Sequence, residues 1–147
     1  MLTFLKLTKE SLVTTEELDV YTTFLYKHLE HYGDTKEAIA KAIAYALGQN
    51  NKPGGFVLVA HAAEQKIVGI AVLLDTLMED FIPEHILVYL AVDNAVRGQG
   101  LGRQLLDEIK REAKGSIALH VDPDNPAQNL YERQGFQKKY IEMRLTK

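Results

Sequence analysis

Arg97-Gly98-Gln99-Gly100-Leu101-Gly102 is the stretch on which the reading of this chain turns. It follows an apolar, strand-like segment at residues 86–92 and leads into a helix-like segment beginning near Leu101. Three glycines in five residues let the backbone turn sharply and approach a ligand with no Cβ in the way. The helix that follows offers unpaired N–H groups and the positive end of its dipole. Strand, glycine turn and helix N-terminus together describe a cradle for an anion, most simply a phosphate. Two common phosphate patterns do not fit. A P-loop needs Gly-Lys-Ser/Thr after four intervening residues, whereas Arg103 and Gln104 follow Gly102. A dinucleotide fingerprint counted from Gly98 needs its third glycine at position 103, and it belongs early in a βαβ unit rather than two-thirds of the way along the chain.

Working outward, the 147 residues suit a single domain over 1–147, long enough to bury roughly two-thirds of its unfolded surface. No apolar run approaches the roughly 20 residues of a membrane span, and the start of the chain lacks a basic region followed by an apolar signal core. The absence of cysteine excludes a disulfide framework, a thiolate metal site and a catalytic thiol. These features lead to the expectation of a cytoplasmic protein. A net charge of -3 gives no support to sequence-independent nucleic-acid binding. His28 and His31 share one helix face, but no third ligand accompanies them, so no metal is expected.

The element pattern is α/β. A first strand is expected at residues 3–8. Thr14 and Glu17 then form a capping box ahead of a helix whose apolar face is Leu18, Tyr21, Leu25, Tyr26 and Leu29. Gly33 ends it, and Asp34 or Thr35 caps a second helix with Ile39, Ile43 and Leu47 inward. After the breaker cluster at residues 50–55, strands are expected at 56–61 and 67–74, then at 86–92. A helix over 101–113, a strand over 117–121, a helix ended by Gly135 and a closing strand over 136–145 complete the chain. The order β-α-α-β-β-β-α-β-α-β describes a mixed, mostly antiparallel central sheet with helices on both faces.

A second motif lies downstream of the glycine turn. Asp124-Asn125-Pro126-Ala127-Gln128-Asn129-Leu130-Tyr131-Glu132-Arg133-Gln134-Gly135-Phe136 resembles the C-terminal signature of the GNAT superfamily of N-acetyltransferases. Leu90-Ala91-Val92 with the glycine turn looks like the acetyl-CoA motif of the same family. The specific residues lie between about 86 and 136, and the element order agrees throughout. The resemblance implies a GNAT-like fold and acetyl-CoA as co-substrate, without a metal. Backbone N–H groups around Gly98, Gln99, Gly100, Leu101, Gly102 and Arg103 would hold the pyrophosphate, with Arg97 adding charge. The backbone of Leu90, Ala91 and Val92 would pair with the pantetheine arm, and the Val92 N–H would polarise the thioester carbonyl.

By the same resemblance Tyr131 is the general acid for the leaving thiolate. A phenol of pKa about 10 suits a thiol of about 8.5. Asn125 is expected to touch the cofactor, with Asp124 and Asn129 as alternatives and a helix cap as the competing role. The base is the thin point, because residues 86–92 carry no carboxylate. Strict alternation puts Glu84 on the face of Ile86, Val88 and Leu90, so Glu84 is the expected base, acting through water, ahead of His85, Tyr89 and His120. The implied activity is direct transfer of an acetyl group to an amine of a small molecule or peptide, without a membrane or nucleic-acid partner. Relatives are commonly homodimers, though no residue here demands it. The rival reading is an acetyl-CoA-binding sensor or interaction domain without turnover.

Overall fold

Thr14 decides where the first helix begins. In the computed structural model, which describes residues 2–147, its hydroxyl accepts from the Glu17 N–H while the Glu17 carboxylate accepts from the Thr14 N–H. This reciprocal cap satisfies two of the donors that a helix start leaves unpaired. Helix α1 then runs Thr15–Leu29. Thr35, one of the two expected caps, accepts from the Ala38 N–H and opens α2, Lys36–Ala46. Their apolar stripes bury Tyr21, Leu25, Ile39 and Ile43. Tyr26, expected inward, is half exposed, and its ring lies under the Lys36 ammonium at 5.5 Å.

The strands are β1 (Thr3–Leu7), β2 (Gly55–His61), β3 (Ile67–Asp75), β4 (His85–Val92) and β5 (Ile117–Ala118). They form one sheet in chain order, antiparallel except for the parallel pair β4 and β5. Both faces are covered, which is why β2 and β3 are apolar almost throughout rather than alternating. Helices α1 and α2 meet Val57, Val59, Ile70 and Val72 on one face. Helix α3 (Leu101–Glu112) meets Leu58, Ala71 and Leu73 on the other through Leu105, Leu106 and Ile109. The short helix α4 (Ala127–Arg133) adds Leu130 and Tyr131 to that second cluster. Each fully buried aliphatic side chain contributes about 2 kcal/mol of transfer free energy.

Two expectations about the last third of the chain need correction. The fifth strand forms only two ladder pairs, His85 with Ile117 and Ile86 with Ala118, rather than running through residue 121. The closing strand over 136–145 does not form: Tyr140, Ile141, Met143 and Leu145 are each more than four-fifths exposed. A two-residue edge is too short to seat a strand of normal length, which is about five or six residues.

A third correction concerns β4. Val72 lies opposite Tyr89 but Leu73 lies opposite Leu87, so Val88 is one residue too many and forms a β-bulge. The extra residue reverses the alternation beyond it. Leu87 packs in the cluster under α3, and so do Leu90 and Val92, whereas Tyr89 and Ala91 pack under α1 and α2. Val88, read from strict alternation as sharing the face of Leu90, packs instead under α1 and α2.

Candidate active site

The bulge also decides which backbone groups β4 turns toward β5. In an antiparallel ladder, residues exchanging hydrogen bonds alternate with residues whose N–H and C=O point away from the partner. Near the start of β4, the Thr76 N–H donates to the Glu84 carbonyl, and the His85 N–H points the other way and donates to the Ser116 carbonyl. Near its end, the Asp93 N–H donates to the Val68 carbonyl. Counting back from Asp93, Ala91 and Tyr89 spend their backbone groups on β3, while Val92 and Leu90 direct theirs toward β5. There β5 has already diverged, because its pairing stops at Ala118. A gap thus opens beside two residues of β4 whose backbone donors and acceptors have no strand to pair with.

The glycine turn continues from the same end of β4. Gly98 and Gly100 adopt left-handed φ values of +84° and +78°. A Cβ at either position would meet no atom within 4 Å, so the turn is open on its outer side. Gly100 provides no side-chain cap to α3, and the first donor bonded back to it is the Gln104 N–H. The N–H groups of Leu101, Gly102 and Arg103 are the free donors of that helix start. Gly102 serves packing: a Cβ there would lie 2.9 Å from the Leu130 side chain, so its absence lets α4 approach α3. The donor set is neutral, fixed and convergent, which fits a pyrophosphate.

Tyr131 projects from α4 into the cluster under α3, its ring edge-on to Phe136 at 5.8 Å between centroids. Burial alone pushes its phenol up to about 12, so the hydroxyl keeps its proton across the physiological range. Asn125 acts at the start of α4, where its side-chain oxygen accepts from the Ala127 N–H. Asp124 accepts from the Tyr32 hydroxyl through its carbonyl, and Asn129 is exposed. Arg97 has a partner other than a phosphate: its guanidinium donates to the His28 carbonyl at 2.6 Å and lies 3.6 Å from Glu30. Glu84 sits at the closed end of the β4–β5 pair. Its carboxylate accepts from the Ser116 N–H, and backbone donors, first its own and then that of Ser116, hold it below the usual carboxylate range.

Residues 53–138, more than half of the chain, match the family model described as an acetyltransferase (GNAT) domain. The chain belongs to the GNAT acetyltransferase family. It is thereby an acyltransferase. Solved structures share the fold of this GNAT domain at low sequence identity. A possible acetyltransferase from Clostridium difficile 630 is 16% identical with a TM-score of 0.69, the match covering 99% of this chain and 97% of that one. An aminoglycoside N-acetyltransferase solved in complex with CoA is 16% identical with a TM-score of 0.66, covering 100% and 96%. The ribosomal-protein-S18-alanine N-acetyltransferase from Escherichia coli is 21% identical with a TM-score of 0.65, covering 95% and 80%. No curated protein gives a significant sequence match.

Sequence reasoning missed two polar pairs of this GNAT domain. The Tyr89 hydroxyl donates to the Asp34 carboxylate in the α1–α2 connection. Burial, reinforced by that carboxylate, raises the Tyr89 phenol well above the ordinary tyrosine range. The His85 imidazole meets the Asp75 carboxylate at 2.9 Å, in a separate cavity of about 390 Å³ bounded also by Phe56, Glu84 and Lys114. That cavity is at the closed end of the strand pair, away from the glycine turn. Both pairs join residues far apart in sequence, 55 positions for the first and 10 for the second. Only the side to which Tyr89 turns, which the bulge sets, brings it to Asp34.

Proposed function

We propose that the protein moves an acetyl group from acetyl-CoA to a primary amine of a small molecule or peptide, by direct attack within a ternary complex. The observation that carries this reading is the gap beside Leu90 and Val92. It is lined by unspent backbone groups and leads to an uncapped helix start. Acetyl-CoA, when bound, supplies the acetyl thioester and the thiol leaving group. The free N–H groups of Leu101, Gly102 and Arg103, with the open turn at Gly98, Gln99 and Gly100, would hold its pyrophosphate. Leu90 and Val92 would pair with its pantetheine arm as a missing strand does, with Ala91 fixing their phase through β3. The Val92 N–H would donate to the carbonyl oxygen as negative charge gathers there.

Tyr131 would donate its proton to the departing sulfur. Its buried hydroxyl, held protonated to about 12, is available at any pH the protein meets. Arg97 would act at one remove, tying the turn to α1. Asn125 would hold the start of α4 and with it the position of Tyr131. Glu84, bonded at the closed end, suits holding β5 better than receiving a proton. The lack of cysteine leaves no thiol to carry an acetyl group between two half-reactions, which favours direct attack. Among proteins of this fold, one solved with CoA is an aminoglycoside N-acetyltransferase and another is a ribosomal-protein-alanine N-acetyltransferase. Both support an amine acceptor.

Thiol release from acetyl-CoA, followed across a panel of primary amines and peptides, tests the reading. Turnover with at least one amine, lost in Tyr131→Phe while acetyl-CoA binding persists, is the expected result. Binding of acetyl-CoA without thiol release for any amine would replace it with a cofactor-binding module that does no transfer.

A further inference from the structure

The α1–α2 connection spans both lips of the gap. On the β4 side, Tyr89 donates to Asp34, and Arg97 donates to the His28 carbonyl at the end of α1. On the β5 side, the Tyr32 hydroxyl donates to the Asp124 carbonyl at 3.2 Å, in the loop that leads to α4. Asp34 therefore stands over the open end of the strand pair, on the face opposite α3. It is exposed, and it lines an open cleft of about 870 Å³ with Tyr26, Gly33, Thr35, Lys36 and Glu37. Tyr89 occupies one carboxylate oxygen of Asp34, Oδ2, and orients the group. The other oxygen has no side-chain partner among the described residues. Residues 86–92 offer no carboxylate, and Glu84 is bonded at the far end.

We propose that Asp34 receives the proton of the acceptor ammonium, with Tyr89 as its positioning residue. The assignment rests on the acetyltransferase reading above and supplies the base that β4 lacks. An alkylammonium of pKa about 10.4 is almost wholly protonated at neutral pH. Its N–H bond breaks, the proton passes to Asp34 and on to solvent, and the freed lone pair forms the C–N bond. The C–S bond breaks, the sulfur takes the proton of Tyr131, and the acylated nitrogen then loses its second proton, which returns through water to the Tyr131 phenolate. Per turnover, ammonium and acetyl thioester become amide, thiol and one released proton. The groups around Asp34 are Tyr89 from β4, Tyr26 from α1, and Lys36 and Glu37 from the first turn of α2.

Asp34→Asn keeps an oxygen for the Tyr89 hydroxyl but cannot hold the proton. At pH 7 its kcat with benzylamine should fall about 100-fold, within the usual range for a lost general base. At pH 10, where much of the amine is already neutral, the deficit should shrink to about tenfold or less. With aniline, neutral at either pH, the loss should stay within about threefold. Tyr89→Phe should lower kcat with benzylamine by a smaller factor and leave KM for acetyl-CoA unchanged. An equal loss with both amines, or one that pH does not relieve, would overturn the proposal and leave Asp34 as a loop anchor. A second readout needs no turnover. Benzylammonium titrated into the cofactor-free protein should shift the NMR signals of Asp34 and Tyr89, and Asp34→Asn should abolish the response. If no amine supports thiol release in the wild type, the acetyltransferase reading fails. This titration then decides the assignment alone: a shift supports ammonium capture, and its absence overturns it.

Discussion

At its N-terminal end the β4–β5 seam is stitched: His85 and Ile86 pair with Ile117 and Ala118, and Glu84 fastens Ser116 from the side. At its C-terminal end the same two strands part, and Leu90 and Val92 hold out backbone groups to nothing. Both ends are apolar strand of similar composition. They differ in that β5 pairs no further than Ala118, and Val88, added between them, sets which backbone groups of β4 face the open end. The stitched end uses the Glu84 carboxylate on structure, and the open end leaves its backbone hydrogen-bonding groups unspent. Vacancy at one end depends on closure at the other, since without the stitch the two strands would have no fixed separation.

Deleting Val88 attacks that contrast most directly. It would turn Tyr89 and Ala91 toward the gap and exchange the faces of four side chains. The expected outcome is loss of acetyl-CoA binding by calorimetry and a drop of about 3 kcal/mol or more in urea denaturation. Retained affinity would break the link between bulge and gap. Tyr131→Phe comes next: turnover should fall about 100-fold, with acetyl-CoA affinity changed less than about threefold.

Alkaline titration sharpens the burial side of the comparison. The Tyr131 phenol is raised to about 12 in the folded protein, against about 10 when unfolded. Its contribution is therefore complete below about pH 10 and is lost as the pH rises toward 12, amounting to about 2 kcal/mol. Denaturation midpoints between pH 9 and 11.5 should fall more steeply in the wild type than in Tyr131→Phe. A parallel decline would refute the buried position of that hydroxyl. Gly100→Ala meets no atom, so its expected cost of about 1 kcal/mol comes from the left-handed backbone alone. Acetyl-CoA affinity should weaken with it. The smallest effect is expected for Glu84→Gln, which still accepts from Ser116. Turnover within about twofold of wild type would agree with a fastening role, and a large loss would return Glu84 to the chemistry.

Much of this architecture was legible in the sequence because its causes are local. The Thr14–Glu17 cap, the Thr35 cap, the apolar stripes of α1 and α2 and the glycine turn each depend on residues within a few positions of one another. What escaped depends on pairing across the chain. Val88 carries no mark of a bulge, being neither glycine nor polar, and only its opposition to β3 makes it one residue too many. With that phase unknown, Val88 falls on the wrong face and Tyr89 has no visible partner. Arg97 sits in a motif where a phosphate contact is the natural expectation, but its partner is contributed by a helix end 69 residues earlier. The tail over 136–145 has the alternation of a strand; the edge that would receive it is absent.

The Arg97–His28 contact has a consequence for the order of events. The turn that would take the donor and the helix end beneath the acceptor cleft are joined at 2.6 Å, and Asn94 reinforces the joint through Glu30 and His28. Displacement of one is displacement of the other. In the terms of linkage, two ligands acting on one such joint share a single coupling free energy. Whatever factor donor binding lends to the affinity for the acceptor, acceptor binding must return to the donor.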